Sequence, residues 1–237
     1  VSPASAKKID FEACDGLKAP KKKGDGMAAP PPYGFSHNYY QSRVGRIKAC
    51  TNALADPRLL PTHTLRRANL LQSRALAQLG NGLADHALTD IDAAQAVAQE
   101  YQKDAMFVRS MGVSFNLVRA AAWLQKGDAA KAQEFTALAG KSRPYSLSVQ
   151  SLVAALLTKA HTLHDNSPYT QLLPLQPDAL IQQFMWLIEQ GKFAEALTLR
   201  PHLNINFPPT WVPGSAKYAI SRQASVITVS TASSMLE

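Results

Sequence analysis

Apolar positions recur at helical spacing along the middle of the chain. Leu83, Ala87, Ile91, Ala94 and Ala98 follow steps of four, four, three and four, which predicts a single buried helical stripe. Ahead of it, "RIKACTNALADP" predicts a short helix stopped by Pro57, and "TLRRANLLQSRALAQLG" a longer one ending at Gly80, a helix-stop signal. "AMFVRSMGVSFNLVRAAAWLQKG" predicts one continuous helix. Nine of the thirteen residues from Val113 to Gln125 are apolar, so this helix is expected to touch neighbours on more than one side, as a middle layer does. Asp128 suits the N-cap of the next helix, which runs to about Gly140. A further apolar helix follows from Ser146 to Leu163, and "PDALIQQFMWLIEQGKFAEALTLRP" supplies a last pair, broken at Gly191 and closed by Pro201.

The two ends break this pattern. Residues 1–42 carry six lysines before residue 24, the turns of "KKKGDGM" and the prolines of "APPPYG", so an irregular N-terminal arm is expected. "KKKGDG" reads either as an anion-binding patch or as a solvated loop, and Tyr33, Phe35, Tyr39 and Tyr40 as packing of the arm onto the helices. Residues 205–237 form a non-repeat C-terminal segment, where "FPPTWVPG" is turn-rich and "RQASVITVST" is β-branched. Residues 43–204 between them are the helical domain.

Within that domain the glycines align two cycles. "WLQKGDAAKAQEF" and "WLIEQGKFAEALTL" share an aromatic before the turn, a glycine at it and an alanine five residues later, Ala132 or Ala196. Gly80 with Ala87 fits once two extra residues are allowed in the turn. Small residues let two antiparallel helices approach closely, while large ones fill the space toward the next pair. This arrangement resembles the tetratricopeptide repeat family, built from 34-residue helix-turn-helix units. Trp123 matches the large residue of the first helix, Gly127 and Asp128 the turn, Ala132 and Ala139 the small second-helix positions, and Pro144 the closing proline. Residues 111–144 match best. Residues 66–100 have the lengthened turn, and residues 177–201 lack the end of the second helix. The 64 residues from Gly127 to Gly191 depart from a regular period.

The resemblance implies an all-α fold: a helix-turn-helix repeat array, a right-handed superhelix of seven or eight helices, with irregular arms. It also implies a concave face, lined by the first helix of each hairpin, that binds protein or peptide. Carried over by position, that face comprises Arg67, Leu70, Arg74 and Ala77 in the first unit. Ser114, Leu117, Ala121 and Leu124 follow in the second, with Asn116 and Arg119 nearby, and Ile181, Met185 and Ile188 in the third. Arginine grips a carboxylate through paired hydrogen bonds, so Arg67 and Arg74 are candidate anchors for an acidic peptide. The alternative is that they form a solvated face or pair with Asp85, Asp90 and Asp92.

Charge and composition add little chemistry. A net charge of +8 permits acidic partners, and it favours nucleic acid less than peptide because no binding motif accompanies it. No apolar run reaches the length of about 18–20 residues that a membrane-spanning helix needs. His161 and His164 stand three apart in "HTLHD" but lack a third ligand, so no metal is expected. There is no phosphate loop, nucleophile elbow or paired carboxylate motif, which predicts neither a cofactor nor catalysis. The competing reading is a cell-envelope enzyme acting on an anionic polymer or glycan. Cys14 and Cys50 could form a disulfide or remain two buried thiols. The run "ACTNALADPRLLP…LRRANLLQSRALAQLG…HALTDIDAA" resembles exported repeat proteins of unknown activity from alphaproteobacteria; with the small, polar start "VSPASAKK" it implies a periplasmic or secreted location.

Overall fold

The computed structural model describes residues 8–21, 24–27, 43–160, 167–175 and 179–203. The fold is all-α, with no strand among the described residues; an isolated bridge joins Lys21 and Gly24. The expected "APPPYG" and aromatic cluster, "HTLHD", and the segments after residue 203 lie outside the described residues.

The chain divides into two compact units, the first reaching residue 162 and the second starting at residue 163. The first holds α1 (Lys8–Asp15), α2 (Arg43–Leu54), α3 (Thr64–Leu79), α4 (Ala84–Val97), α5 (Ala105–Val108), α6 (Met111–Gln125), α7 (Ala129–Ser142) and α8 (Leu147–Lys159). The second holds α9 (Ser167–Leu172), α10 (Ala179–Glu189) and α11 (Phe193–Leu199). Helix α6 does form the middle layer its composition predicts: it packs on α3, α4, α5, α7 and α8. Leu76, Leu79, Ile91, Phe115, Leu117 and Val118 fill the core around it.

Three hairpins, α3–α4, α6–α7 and α10–α11, turn in one way. Gly82, Gly127 and Gly191 have φ of 75°, 80° and 72°, a left-handed conformation that glycine adopts without a Cβ penalty. The N–H of each glycine donates three residues back, to Leu79, Leu124 or Ile188. The next N–H donates five residues back, to Gln78, Trp123 or Leu187, completing a Schellman closure. The first turn is therefore centred on Gly82, not on Gly80, whose φ is −63°. With this register Ala87, Ala132 and Ala196 each stand five residues beyond their glycine, and all three are buried. The lengthened turn expected for the first hairpin does not exist. Trp123 and Trp186 are four and five residues before their glycines, so they are not equivalent positions.

Other expectations change as well. The helix expected over 105–127 breaks at Arg109 and Ser110. The Ser110 backbone leaves the helical region at φ −123° and ψ −92°, and its hydroxyl donates back to the carbonyls of Met106 and Phe107. Leu83, expected on the α4 stripe, is an exposed residue before the helix, while Ala87, Ile91, Ala94 and Ala98 are fully buried. Asp128 caps α7 as expected, accepting from the Lys131 N–H at 3.0 Å.

The N-terminal arm is not wholly irregular. Helix α1 brings Phe11 and Cys14 onto α2 and α3, where they pack with Cys50, Ala53, Leu59 and Leu70. Cys14 and Cys50 are joined as a disulfide. Beside it, the fully buried Arg66 donates from Nη2 to Asp15 Oδ1 at 2.9 Å and to the Leu17 carbonyl at 3.2 Å. Asn69 Nδ2 donates to the other Asp15 oxygen at 2.8 Å. Burial holds the Asp15 carboxyl above its ordinary range, against the opposing pull of Arg66, and holds the Arg66 guanidinium below its own. Gly26 closes over this pair: a Cβ there would stand 3.0 Å from Arg66 Nη1 and 2.9 Å from the Lys18 carbonyl oxygen. "KKKGDG" thus ends in a close approach to a buried cation, a role neither reading of its charges anticipates.

Candidate ligand-binding surface

The positions expected to line a concave face separate into three groups. Leu70 and Leu117 are fully buried and Ala121 nearly so. They are core residues, since α1 and α2 cover one side of α3 and five helices surround α6. Ala77 and Ser114 are buried as well.

Arg67 and Arg74 are committed to the fold. Arg67 donates to the carbonyls of Leu54 and Leu59 at 3.4 and 3.1 Å, tying α3 to the C-terminal end of α2. Arg74 makes the paired geometry expected for a peptide carboxylate, but makes it with Asp90 on α4, at 2.7 Å through both Nε and Nη2. This is the ion-pairing alternative for Arg74, whereas Arg67 is held by backbone carbonyls, a partner that neither reading named. Ile181 and Met185 are half-buried on α10, within the second unit, and Ile188 is buried there.

Asn116 and Arg119 are half-buried and belong to neither group. They line a depression of about 180 Å³ in the first unit, together with Gln95, Gln102, Phe107, Gly112, Phe115 and Ser142. Its apolar floor follows from the break before α6. The Asp104 carboxylate caps α5 by accepting from the Phe107 N–H at 2.9 Å, which turns Phe107 inward. There it meets Phe115 edge-on, with ring centres 5.9 Å apart, and Tyr101 at 6.3 Å. Gly112 passes close to the Phe107 carbonyl, where a Cβ would come within 3.4 Å.

Polar groups stand around this floor. Among the described residues the Asn116 carboxamide makes no hydrogen bond, leaving an N–H donor and a carbonyl acceptor available together. Arg119 is held by Asp92 at 2.8 Å and lies over the Phe135 ring at 5.6 Å. Asp92 is largely exposed, so water weakens that pair and a ligand carboxylate can compete for the guanidinium. An amide donor and acceptor, an exchangeable arginine and an aromatic floor suit a peptide backbone with an acidic or apolar side chain. Among the described residues no Asp or Glu lines the depression.

The break at Ser110 creates this surface, and it was the part hardest to anticipate. The signal available was "SMG", a serine and a glycine inside an otherwise strong helical run. Among the described residues no helix is long and apolar enough to cross a membrane, and no cluster of His, Cys, Asp and Glu could hold a metal. The chain matches no family model, no curated protein and no solved structure among those compared.

Proposed function

We propose that this protein is a non-catalytic scaffold that binds a protein or peptide segment on a helical-hairpin array of the tetratricopeptide type. The observation that carries the reading is the hairpin turn used three times, with a left-handed glycine and a buried alanine five residues later. Such hairpins leave an apolar side that the next pair covers, and stacked pairs offer long surfaces for extended ligands. The depression beside Asn116 and Arg119 supports the same reading, because its donors and acceptors match a peptide backbone. The Cys14–Cys50 disulfide supports placing the protein in an oxidising compartment, periplasmic or extracellular.

The test is retention of a partner from the native host on immobilised protein. Asn116→Ala combined with Arg119→Ala should lower that retention at least about tenfold, the effect of removing a central contact. Retention equal to that of the wild type would remove this depression from the function. Partners held only by denatured protein would sink the scaffold reading itself.

A further inference from the structure

The break before α6 carries a second feature. Met106 and Tyr145 are 68% and 99% exposed, two of several large apolar side chains left in water, and these two stand beside the same hollow. They flank a hollow of about 550 Å³ between α5 and the α7–α8 junction, which Arg109, Ser110, Arg143 and Pro144 complete. We propose that this hollow receives an acidic peptide segment bearing an apolar side chain. The proposal rests on the scaffold reading and gives it a place and a ligand chemistry.

Two kinds of recognition meet in the hollow. Arg109 is exposed, and Arg143 is fixed by a hydrogen bond from Nη1 to the Arg109 carbonyl at 2.7 Å, which joins the end of α7 to the break before α6. Among the described residues the hollow is lined by Arg109 and Arg143 and by no Asp or Glu. The local field is therefore cationic and attracts an anion. Met106 and the Tyr145 ring supply the apolar area. A tyrosine ring offers large contact at little conformational cost once a partner covers it. An inorganic anion would leave Met106 and Tyr145 uncovered. A purely apolar segment would leave the exposed Arg109 guanidinium unmatched, and a glutamate or aspartate next to an apolar residue uses both kinds of contact. The confined hollow favours peptide over nucleic acid, which needs a track of cations along its backbone.

The test uses the full, disulfide-bonded chain and fluorescence anisotropy with a labelled peptide that alternates glutamate with leucine and phenylalanine. Saturable binding is expected. Arg109→Glu should weaken it at least about tenfold and Tyr145→Ala about fivefold, in the range of interface anchor residues, with circular dichroism unchanged. The Gln-for-Glu peptide and the Gly-for-Leu/Phe peptide should each bind more weakly. Equal binding by either control peptide, tighter binding of oligothymidine, or no saturable binding overturns the proposal. If Asn116→Ala and Arg119→Ala abolish binding while Arg109→Glu and Tyr145→Ala do not, the peptide occupies the other depression. The inference then fails while the scaffold reading stands.

Discussion

The two ends of the first unit are built on opposite principles. At the α1–α2 end a disulfide, a buried ion pair and a tight glycine contact close the helices over one another, and Arg66, Phe11, Cys14 and Cys50 are fully buried. At the α5 and α7–α8 end the chain breaks a helix, leaves Met106 and Tyr145 in water, and opens two depressions. Both ends carry arginine, but the environment decides its role. Arg66 is desolvated and its neighbours depend on it, whereas Arg109 is exposed and a partner can use it. The difference teaches that closure and exposure are separated along this unit: the closed end buries its charged groups within the fold, and the open end leaves Met106, Arg109 and Tyr145 in water, where the proposed ligand would meet them.

The sharpest way to break the comparison is at Arg66. Arg66→Met keeps much of the volume but leaves the Asp15 carboxylate buried without its cation. A loss of about 3–5 kcal/mol is expected in urea unfolding at neutral pH. Because burial already raises the folded-state pKa of Asp15, protonation favours the folded form. Without Arg66 the Asp15 pKa rises further, so the penalty should be largest above that higher value, shrink as pH falls from it toward the wild-type one, and level off below both. A penalty independent of pH would show that Asp15 is not the group left unpaired.

Replacing both Cys14 and Cys50 by serine is expected to cost about 2–4 kcal/mol, since the bond closes a long loop in the unfolded chain. An unchanged midpoint would mean that the closed end does not depend on its covalent link. The hairpin turns come next. Gly82→Ala, Gly127→Ala and Gly191→Ala should each cost about 1–2 kcal/mol through left-handed backbone strain alone, because an added Cβ meets nothing within 4 Å at any of them. Gly80→Ala carries no such backbone cost, and a larger loss there than at Gly82 would undo the register described above. The smallest effect belongs to the open end. Asp92→Asn, which breaks the ion pair and leaves Arg119 in place, should change stability by less than about 1 kcal/mol, as Asp92 is well solvated. A large loss would show that the Arg119–Asp92 pair holds the fold rather than yielding to a ligand.

Helices and their order were legible from apolar spacing because each pattern buries one side of a local element. α3, α4, α7 and α10 lie close to the expected segments. The misread positions all turn on choices between two local signals. "LGNGL" offers two glycines, and only the buried alanine five residues after Gly82 marks which one turns the chain. "RSMGV" hides a break inside a run whose apolar content alone reads as continuous helix. Phe11 and Cys14, three apart in a lysine-rich arm, were the available trace of α1.

The candidate site was less legible for a different reason. An arginine at an outward helical position is the same residue whether it meets a ligand, Asp90 or a backbone carbonyl. The sequence by itself determined that the chain is helical, where most helices lie and that alanines let pairs of them approach, since these follow from local spacing and side-chain size. Tertiary structure alone decided that Arg67 and Arg74 are spent internally, that Leu70 and Leu117 are covered, and that Asn116, Arg109 and Tyr145 face outward. Exposure and pairing depend on which distant segment arrives beside a residue, and no local pattern records that.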